Sequence, residues 1–367
     1  RCMGLRGGPE AARKRRTTVA TTLLRTPYCL ALLQCTHPQR VAALAMSADS
    51  GAKMTTLEAL AAKKTGPMPT GKSWKGLPVP FFFQEASAEA FGALEMKPDD
   101  VVCSSPVKAG TSWLHKIMIL MLHGIDEEGK PLEPSNEAVQ SLMKGQIYPD
   151  ALPMEQPAEP GFMNEKCLSF PTLTEMPSPR LFTTHFFGDY LPKQLTDPDG
   201  KGRLVVCLRN PKDVLTSLHF FRGEAKDGWL GNEHGPGSLA RFCSPDTPNA
   251  YGNVFRWMVE TERTVAPLVA SGRCHVVYFE ELKADLPAAL DRLAAFLGVP
   301  LPAAKRDALA SAVSLGAMSG HITVRKGEIG DWKNHLSDEE WKLVDDTIAE
   351  TVAGSRLYEP LAQYAKR

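Results

Sequence analysis

Three short stretches of this 367-residue chain set cations beside glycines or hydroxyls where a loop could turn. VVCSSPVKAGTSW, residues 101–113, puts Lys108 two places before Gly110 and follows the glycine with Thr111 and Ser112. RLVVCLRNPKDVLTS, residues 203–217, ends an apolar run at Arg209 and carries Ser217 eight residues further on. VRKGEIGDWKNHLS, residues 324–337, offers Arg325, Lys326 and Gly327 on a glycine-broken stretch. The chemistry these types can do together is anion binding: point charge from lysine, forked donors from arginine, hydroxyls that follow tetrahedral oxygens, and backbone N–H groups at a helix start. A Walker-type loop has its lysine directly after glycine and a hydroxyl directly after the lysine. Here the order differs, so the first stretch is either a plain strand-to-helix turn with Ser112 as cap or a loop shaped for another anion. Any one cluster is most simply a solvated patch. Three at loop positions in an acidic body are either three unrelated solvated patches or the cradle of one anionic ligand, and the patch reading is harder to sustain for all three together. His185, in RLFTTHFFGDYLP, is either a core histidine at a strand end or a general base.

The elements that would position these residues follow from periodicity. Residues 101–104, 180–185, 203–210 and 275–280 are near-continuous apolar runs, the pattern of strands covered on both faces. TSWLHKIMILMLHG, residues 111–124, has helical spacing that stops at Gly124; KDVLTSLHFF follows the third strand; LPAALDRLAAFLG, with Pro287 near its start and Gly298 at its end, follows the fourth. Alternating strands and helices predict an α/β fold, a three-layer parallel sheet flanked by helices, with ligands at the carboxyl ends of the strands. Residues 67–367 form that domain. GPMPTGKSWKGLPVP reads as the linker into it, and residues 144–173 and 223–253, rich in Pro, Gly, Asn and Asp, read as long functional loops.

Composition narrows the function. The formal net charge is zero, but residues 1–66 hold eleven bases and three acids, leaving 31 bases against 39 acids in the rest. A net acidic body argues against a nucleic-acid partner while leaving room for a local cation cluster. The basic extension of residues 1–66 lacks a sustained apolar face. Its first 45 residues carry eight Lys or Arg and one acid, so they read either as an organelle transit segment or as translated sequence upstream of a start at Met46. The first reading puts the protein in a plastid or mitochondrion, the second in the cytoplasm. The apolar stretch between Arg25 and Arg40 is too short for a membrane span. Eight cysteines without a C-x-x-C pair read as reduced thiols, and nine scattered histidines give no metal site.

Together the motifs resemble a known family. PVKAGTSW is similar to the 5′-phosphosulfate loop of cytosolic-type sulfotransferases, RNPKDVLTS to their 3′-phosphate strand and helix, and RKGEIGDWKNHLS to their long C-terminal signature. THFFGDYLP resembles the segment that carries the family's catalytic histidine, and YGNVFRWM resembles a further family segment; the likeness covers roughly residues 66–367. It implies a P-loop-like sulfotransferase fold and the donor 3′-phosphoadenosine-5′-phosphosulfate (PAPS), released as 3′,5′-diphosphoadenosine (PAP). By position, Lys108, Gly110, Thr111 and Ser112 would bind the 5′ phosphosulfate, with Trp113 and Phe279 at the adenine side. Arg209, Ser217, Arg325, Lys326 and Gly327 would hold the 3′ phosphate. His185 would be the general base toward a hydroxyl or amine of a small-molecule acceptor, and Lys108 would stabilise the leaving oxygen.

The chain departs from the family pattern at several places. Val107 replaces a proline, Thr183 a lysine, Phe279 a tyrosine, and Asp338 an apolar residue of the dimer motif. The last change favours a monomer or weak homodimer. Phe81, Phe82, Phe83, Phe186, Phe187 and Phe220 would line an apolar acceptor pocket or fill the core. Two other readings stand beside the sulfotransferase: a P-loop nucleotide kinase or NTPase, which the missing G-K-[ST] opposes, and a catalytically silent nucleotide-binding protein, which the presence of Lys108 and His185 opposes.

Overall fold

Four apolar runs pair side by side, and their order decides where a ligand can sit. The structure is a computed structural model, and it describes residues 72–80, 82–157, 168–221, 243, 250–314, 316–318 and 325–366. A two-stranded hairpin, β1 (Lys72–Trp74) and β2 (Leu77–Val79), precedes the main strands β3 (Val101–Ser104), β4 (Leu181–Thr184), β5 (Arg203–Leu208) and β6 (Cys274–Tyr278). The main sheet has the order β4-β3-β5-β6 and is wholly parallel, with Ser104 facing Thr184 on one side and Val206 on the other. The chain leaves β3 toward β4, then crosses back to β5 on the opposite side. The connections that follow β3 and β5 therefore lead to opposite sides, the place where a crevice forms at the carboxyl edge of such a sheet.

The flanking helices described are α1 (Glu85–Gly92), α2 (Thr111–Ile119), α3 (Glu137–Lys144), α4 (Pro211–Phe221), α5 (Val254–Ala270), α6 (Phe279–Ala284), α7 (Leu286–Leu297), α8 (Ala303–Ala312) and α9 (Asp338–Thr351). Local signals fix several of their ends. Asn136 and Asn253 accept the N–H groups of Val139 and Arg256, Asp285 accepts that of Ala288, and Gly298 closes α7 at a φ of 67°. Every residue of β3 and β4 is buried, as covered parallel strands require. At the amino ends of these strands Arg180 grips Asp100 through two hydrogen bonds, Nε to Oδ1 at 2.8 Å and Nη2 to Oδ2 at 2.5 Å. This bidentate pair fastens the end opposite the crevice.

The sequence reading needs correction in detail. The linker around GKSWKGLPVP is a hairpin turned at Lys75 and Gly76, whose φ angles of 49° and 77° suit a tight two-residue turn. The run at 275–280 ends as a strand at Tyr278; Phe279 and Glu280 begin α6, where Glu280 and Glu281 favour the positive helix end. The helix at 111–124 is α-helical only to Ile119 and finishes as a five-residue π turn, Leu120–Gly124. The long stretch at 144–173 contains a 3-10 turn at Pro149–Ala151 and a short helix at Phe170–Thr174. Most of the loop at 223–253, the extension at 1–66 and Phe81 lie outside the described residues. Cys103, Cys207, Cys243 and Cys274 are buried free thiols.

Candidate active site

The loop after β3 is shaped by contacts from below. Lys108 has a φ of 70° and Gly110 a φ of 109°, so the chain turns through the left-handed region twice before α2 begins. A Cβ on Gly110 would lie 3.0 Å from Phe279 Cδ2 and 3.5 Å from Cys207 Sγ, so glycine is demanded by both conformation and space. Cys207 on β5 donates its S–H to the Ala109 carbonyl at 3.3 Å, and the hydroxyls of Ser105 and Thr111 share a 2.6 Å hydrogen bond. Thr111 and Ser112 are buried at the first turn of α2. The result is a fixed turn at a helix start, the backbone geometry that attracts anions.

Three cations converge on it. Burial, and then the neighbouring charges of Arg209 and Arg325, push the Lys108 ammonium down to about 7. Arg209 at the end of β5 is buried; its Nη2 donates to the Glu328 carbonyl at 2.8 Å, its guanidinium lies 4.3 Å above the Phe279 ring, and its Nε is buried without a hydrogen-bond partner. Trp113 meets the same Phe279 ring edge-on at 5.5 Å and donates its indole N–H to Val313 at 2.7 Å. Phe279 is thus the apolar floor on which Gly110, Arg209 and Trp113 assemble. Glu280, next to it, accepts the Asn210 N–H at 2.9 Å, and burial raises its carboxyl to about 7.

The C-terminal signature divides into two jobs. Asp213 in the first turn of α4 accepts the N–H groups of Gly330 at 2.8 Å and Trp332 at 3.1 Å, and Trp332 is buried under the Lys212 ammonium at 4.1 Å. That half anchors the segment. The other half supplies charge: Arg325 packs 4.2 Å over Phe220, and Gly327 turns at a φ of 63°. Arg325 and Lys326 both rest on Asp331, Lys326 at 2.7 Å, and His335 joins them at 2.9 Å. Burial alone would raise the Asp331 carboxyl, but hydrogen bonds from Lys326, Arg325 and His335 hold it well below the usual carboxylate range. Ser217 is half-buried on α4 and makes no hydrogen bond to this cluster among the described residues.

His185 lies just past β4, in a different environment. Its Nδ1 is 2.8 Å from the Ser105 carbonyl, which can only accept, so Nδ1 carries the proton and Nε2 is the basic nitrogen. Tyr148 and Tyr251 pack against the imidazole with ring centroids at 4.9 Å and 5.1 Å. Burial pushes the imidazole down to about 4, Lys108 pushes the same way, and the Ser105 carbonyl opposes them. Thr183, two residues earlier, shares a 2.9 Å hydrogen bond with His115 Nδ1 inside the core. Phe83, Phe186 and Phe187 are core residues, with Phe186 stacked on Trp74 at 5.5 Å, and Phe220 lies by the cations; the rings against His185 are those of Tyr148 and Tyr251.

Tyr148, Asp150, Tyr251, Asp213 and Asp331 were missed as site-shaping residues in the sequence. A Tyr-Gly pair at 251–252 and an acid in the first turn after an Arg-Asn-Pro were the available signals. Among the described residues no group of His, Cys, Asp and Glu is arranged to hold a metal ion, and no helix is long and apolar enough to cross a membrane.

A cation cluster beside a neutral imidazole suits transfer of an anionic group to an acceptor that loses a proton. Comparison with known proteins gives the same direction. The sulfotransferase domain matches residues 98–356. The chain is 26% identical over 275 residues to sulfotransferase 6B1 of Danio rerio, covering 72% of this chain and 82% of that protein. It is 26% identical over 307 residues to sulfotransferase 1A1 of Rattus norvegicus, covering 76% and 92%. Mouse sulfotransferase SULT7A1, solved in complex with PAP, shares the fold at a TM-score of 0.58 and 20% identity, covering 80% of this chain and 98% of that chain. A putative steroid sulphotransferase from Arabidopsis thaliana shares it at a TM-score of 0.51 and 21% identity, covering 85% and 98%.

Proposed function

The chain belongs to the sulfotransferase family, and we propose that it transfers a sulfuryl group from PAPS to a hydroxyl or amine of a small-molecule acceptor, with His185 as general base. The observation that carries this reading is the meeting of Lys108, Arg209 and Arg325 at one helix start, close enough to depress the lysine. Asp331, Asp213 and Glu280 balance part of this charge, while burial and the two arginines still disfavour the Lys108 ammonium, and a further anion at the loop would restore it. The buried, unpartnered Nε of Arg209 and the forced glycine at 110 fit a phosphate-bearing ligand in the same way. Lys108, Gly110, Thr111 and Ser112 would hold its 5′ end, and Arg209, Arg325, Lys326, Gly327 and Ser217 its 3′ phosphate, with Trp113 and Phe279 beside the base.

When bound, PAPS supplies the sulfuryl group and a phosphate leaving group. The chain's own residues position, charge and deprotonate. Nε2 of His185 receives the acceptor's proton, and the Ser105 carbonyl then stabilises the resulting imidazolium through Nδ1. An anion beside Lys108 neutralises the charge that pushes His185 down, so the base gains proton affinity when the donor is present. Lys108 contributes positive charge where negative charge builds during transfer. The test is to incubate the protein with PAPS and a library of phenols, alcohols and amines and to follow sulfated products by mass spectrometry. Sulfation of at least one acceptor class, lost in His185→Ala, is expected; a protein that binds PAP tightly but sulfates nothing across the library would be a silent binder.

A further inference from the structure

The wall against His185 is fastened more firmly than simple packing needs. Tyr251 is a non-glycine residue at a φ of 63°, a backbone conformation that persists only when surrounding contacts hold it. Its N–H donates to the Pro78 carbonyl at 2.7 Å, and its hydroxyl donates to Asp150 Oδ2 at 2.6 Å. Asp150 is fully buried, its carbonyl accepts the Gln84 N–H at 2.8 Å, and its Oδ1 has no hydrogen-bond partner. Burial raises this carboxyl to about 6, a shift the Tyr251 hydroxyl partly offsets. A fully buried carboxyl group is costly, and an apolar residue would fill the same space without that cost. What the carboxyl gains is a fixed Tyr251 ring, and that ring lies on the imidazole.

We propose that Asp150 and Tyr251 are positioning residues for His185: the carboxyl pins the tyrosine, and the pinned ring keeps water off the imidazole and holds Nε2 toward the acceptor. The proposal rests on reading His185 as the base. The groups near the imidazole are the Ser105 carbonyl and Lys108 from the loop after β3, the Tyr148 ring, and the Tyr251 ring with Asp150 bonded to its hydroxyl. Pro78, from β2, fixes the tyrosine backbone, so the hairpin reaches the site through one hydrogen bond.

The test is an NMR titration of the His185 imidazole in the full chain, assigned with His185→Gln, for the parent and for Tyr251→Leu, Tyr251→Phe and Asp150→Asn. The parent ring should stay neutral down to about pH 4. Tyr251→Leu admits water and should move the midpoint upward by at least about one unit, toward the ordinary ~6.5. Tyr251→Phe keeps the ring and loses the pin, so its midpoint should rise by a smaller amount; Asp150→Asn keeps an acceptor for the tyrosine hydroxyl and should stay near the parent. The acid limb of sulfate transfer should move with the NMR midpoint while KM for PAPS does not. A folded Tyr251→Leu with an unchanged His185 midpoint overturns the proposal. If that variant does not fold, Tyr251→Phe decides alone, and an unmoved midpoint there overturns it equally. Because the titration needs no turnover, shifted midpoints in a protein that sulfates nothing would sink the base assignment and keep the positioning role, whereas unshifted midpoints in an active enzyme would do the reverse.

Discussion

At the loop after β3, Lys108, Arg209 and Arg325 crowd together with Asp213, Glu280 and Asp331 around them; at the end of β4, His185 is enclosed by two tyrosine rings and a carbonyl. Burial depresses both the lysine and the histidine, yet the consequences differ. The lysine stands among cations, so an incoming anion restores its charge. The histidine stands among rings, and its neutral form is the one the pocket keeps. In the proposed mechanism one region is dry in order to bind charge, the other in order to stay uncharged until a proton must move.

Replacing His185 breaks this comparison most sharply. His185→Ala should leave PAP binding by calorimetry nearly unchanged and lower single-turnover sulfate transfer by about 10²–10⁴-fold, the range for loss of a general base. A more acidic phenol should recover part of that loss, since its proton needs less help. Lys108→Ala should behave as the other region requires: weaker PAP binding and slower transfer together, each by roughly 10–100-fold, with no recovery on the acidic phenol. If the two variants give the same pattern, the division between the regions is wrong.

Smaller effects sharpen it. The unmodified protein should bind PAP far better than AMP, and Arg325→Ala should shrink that preference by roughly 1–3 kcal/mol, the worth of charged hydrogen bonds. Equal binding of the two nucleotides by the parent would remove the 3′-phosphate assignment. The pH dependence follows from Lys108. In the free protein the ammonium loses its proton near about 7, and a bound anion raises that value, so binding above pH 7 takes up a proton. PAP affinity should therefore fall as pH rises from about 7 to about 9, by up to roughly tenfold per unit, and Lys108→Ala should flatten the slope. Calorimetry in buffers of different ionisation enthalpy measures the proton directly. The smallest effect expected is none: a chain starting at Met46 should match the full chain in thermal stability and PAP affinity.

Much of the cationic region was legible in the sequence because each part is local. A lysine before a glycine, an arginine ending an apolar run and an R-K-G triplet each announce themselves within a few residues. The dry region was not legible in the same way. His185 was visible through its TH…LP setting, but its wall comes from Tyr148, Asp150 and Tyr251, which lie in stretches read only as loops or as a family likeness. Phe186 and Phe187, which the sequence left between pocket and core, are core, because an apolar run does not say which face a fold will cover.

The sequence by itself determined the apolar strands and the glycine that ends α7, because these depend on hydrophobic period and capping within a short span. Only the tertiary structure decided that Lys108, Arg209 and Arg325, more than 200 residues apart at their extremes, would share one electrostatic field, and that a tyrosine held by a carboxyl 101 residues away would lie against His185. Proton affinities are set by neighbours in space and by the water those neighbours exclude. Neither quantity is written in the spacing of residues along the chain.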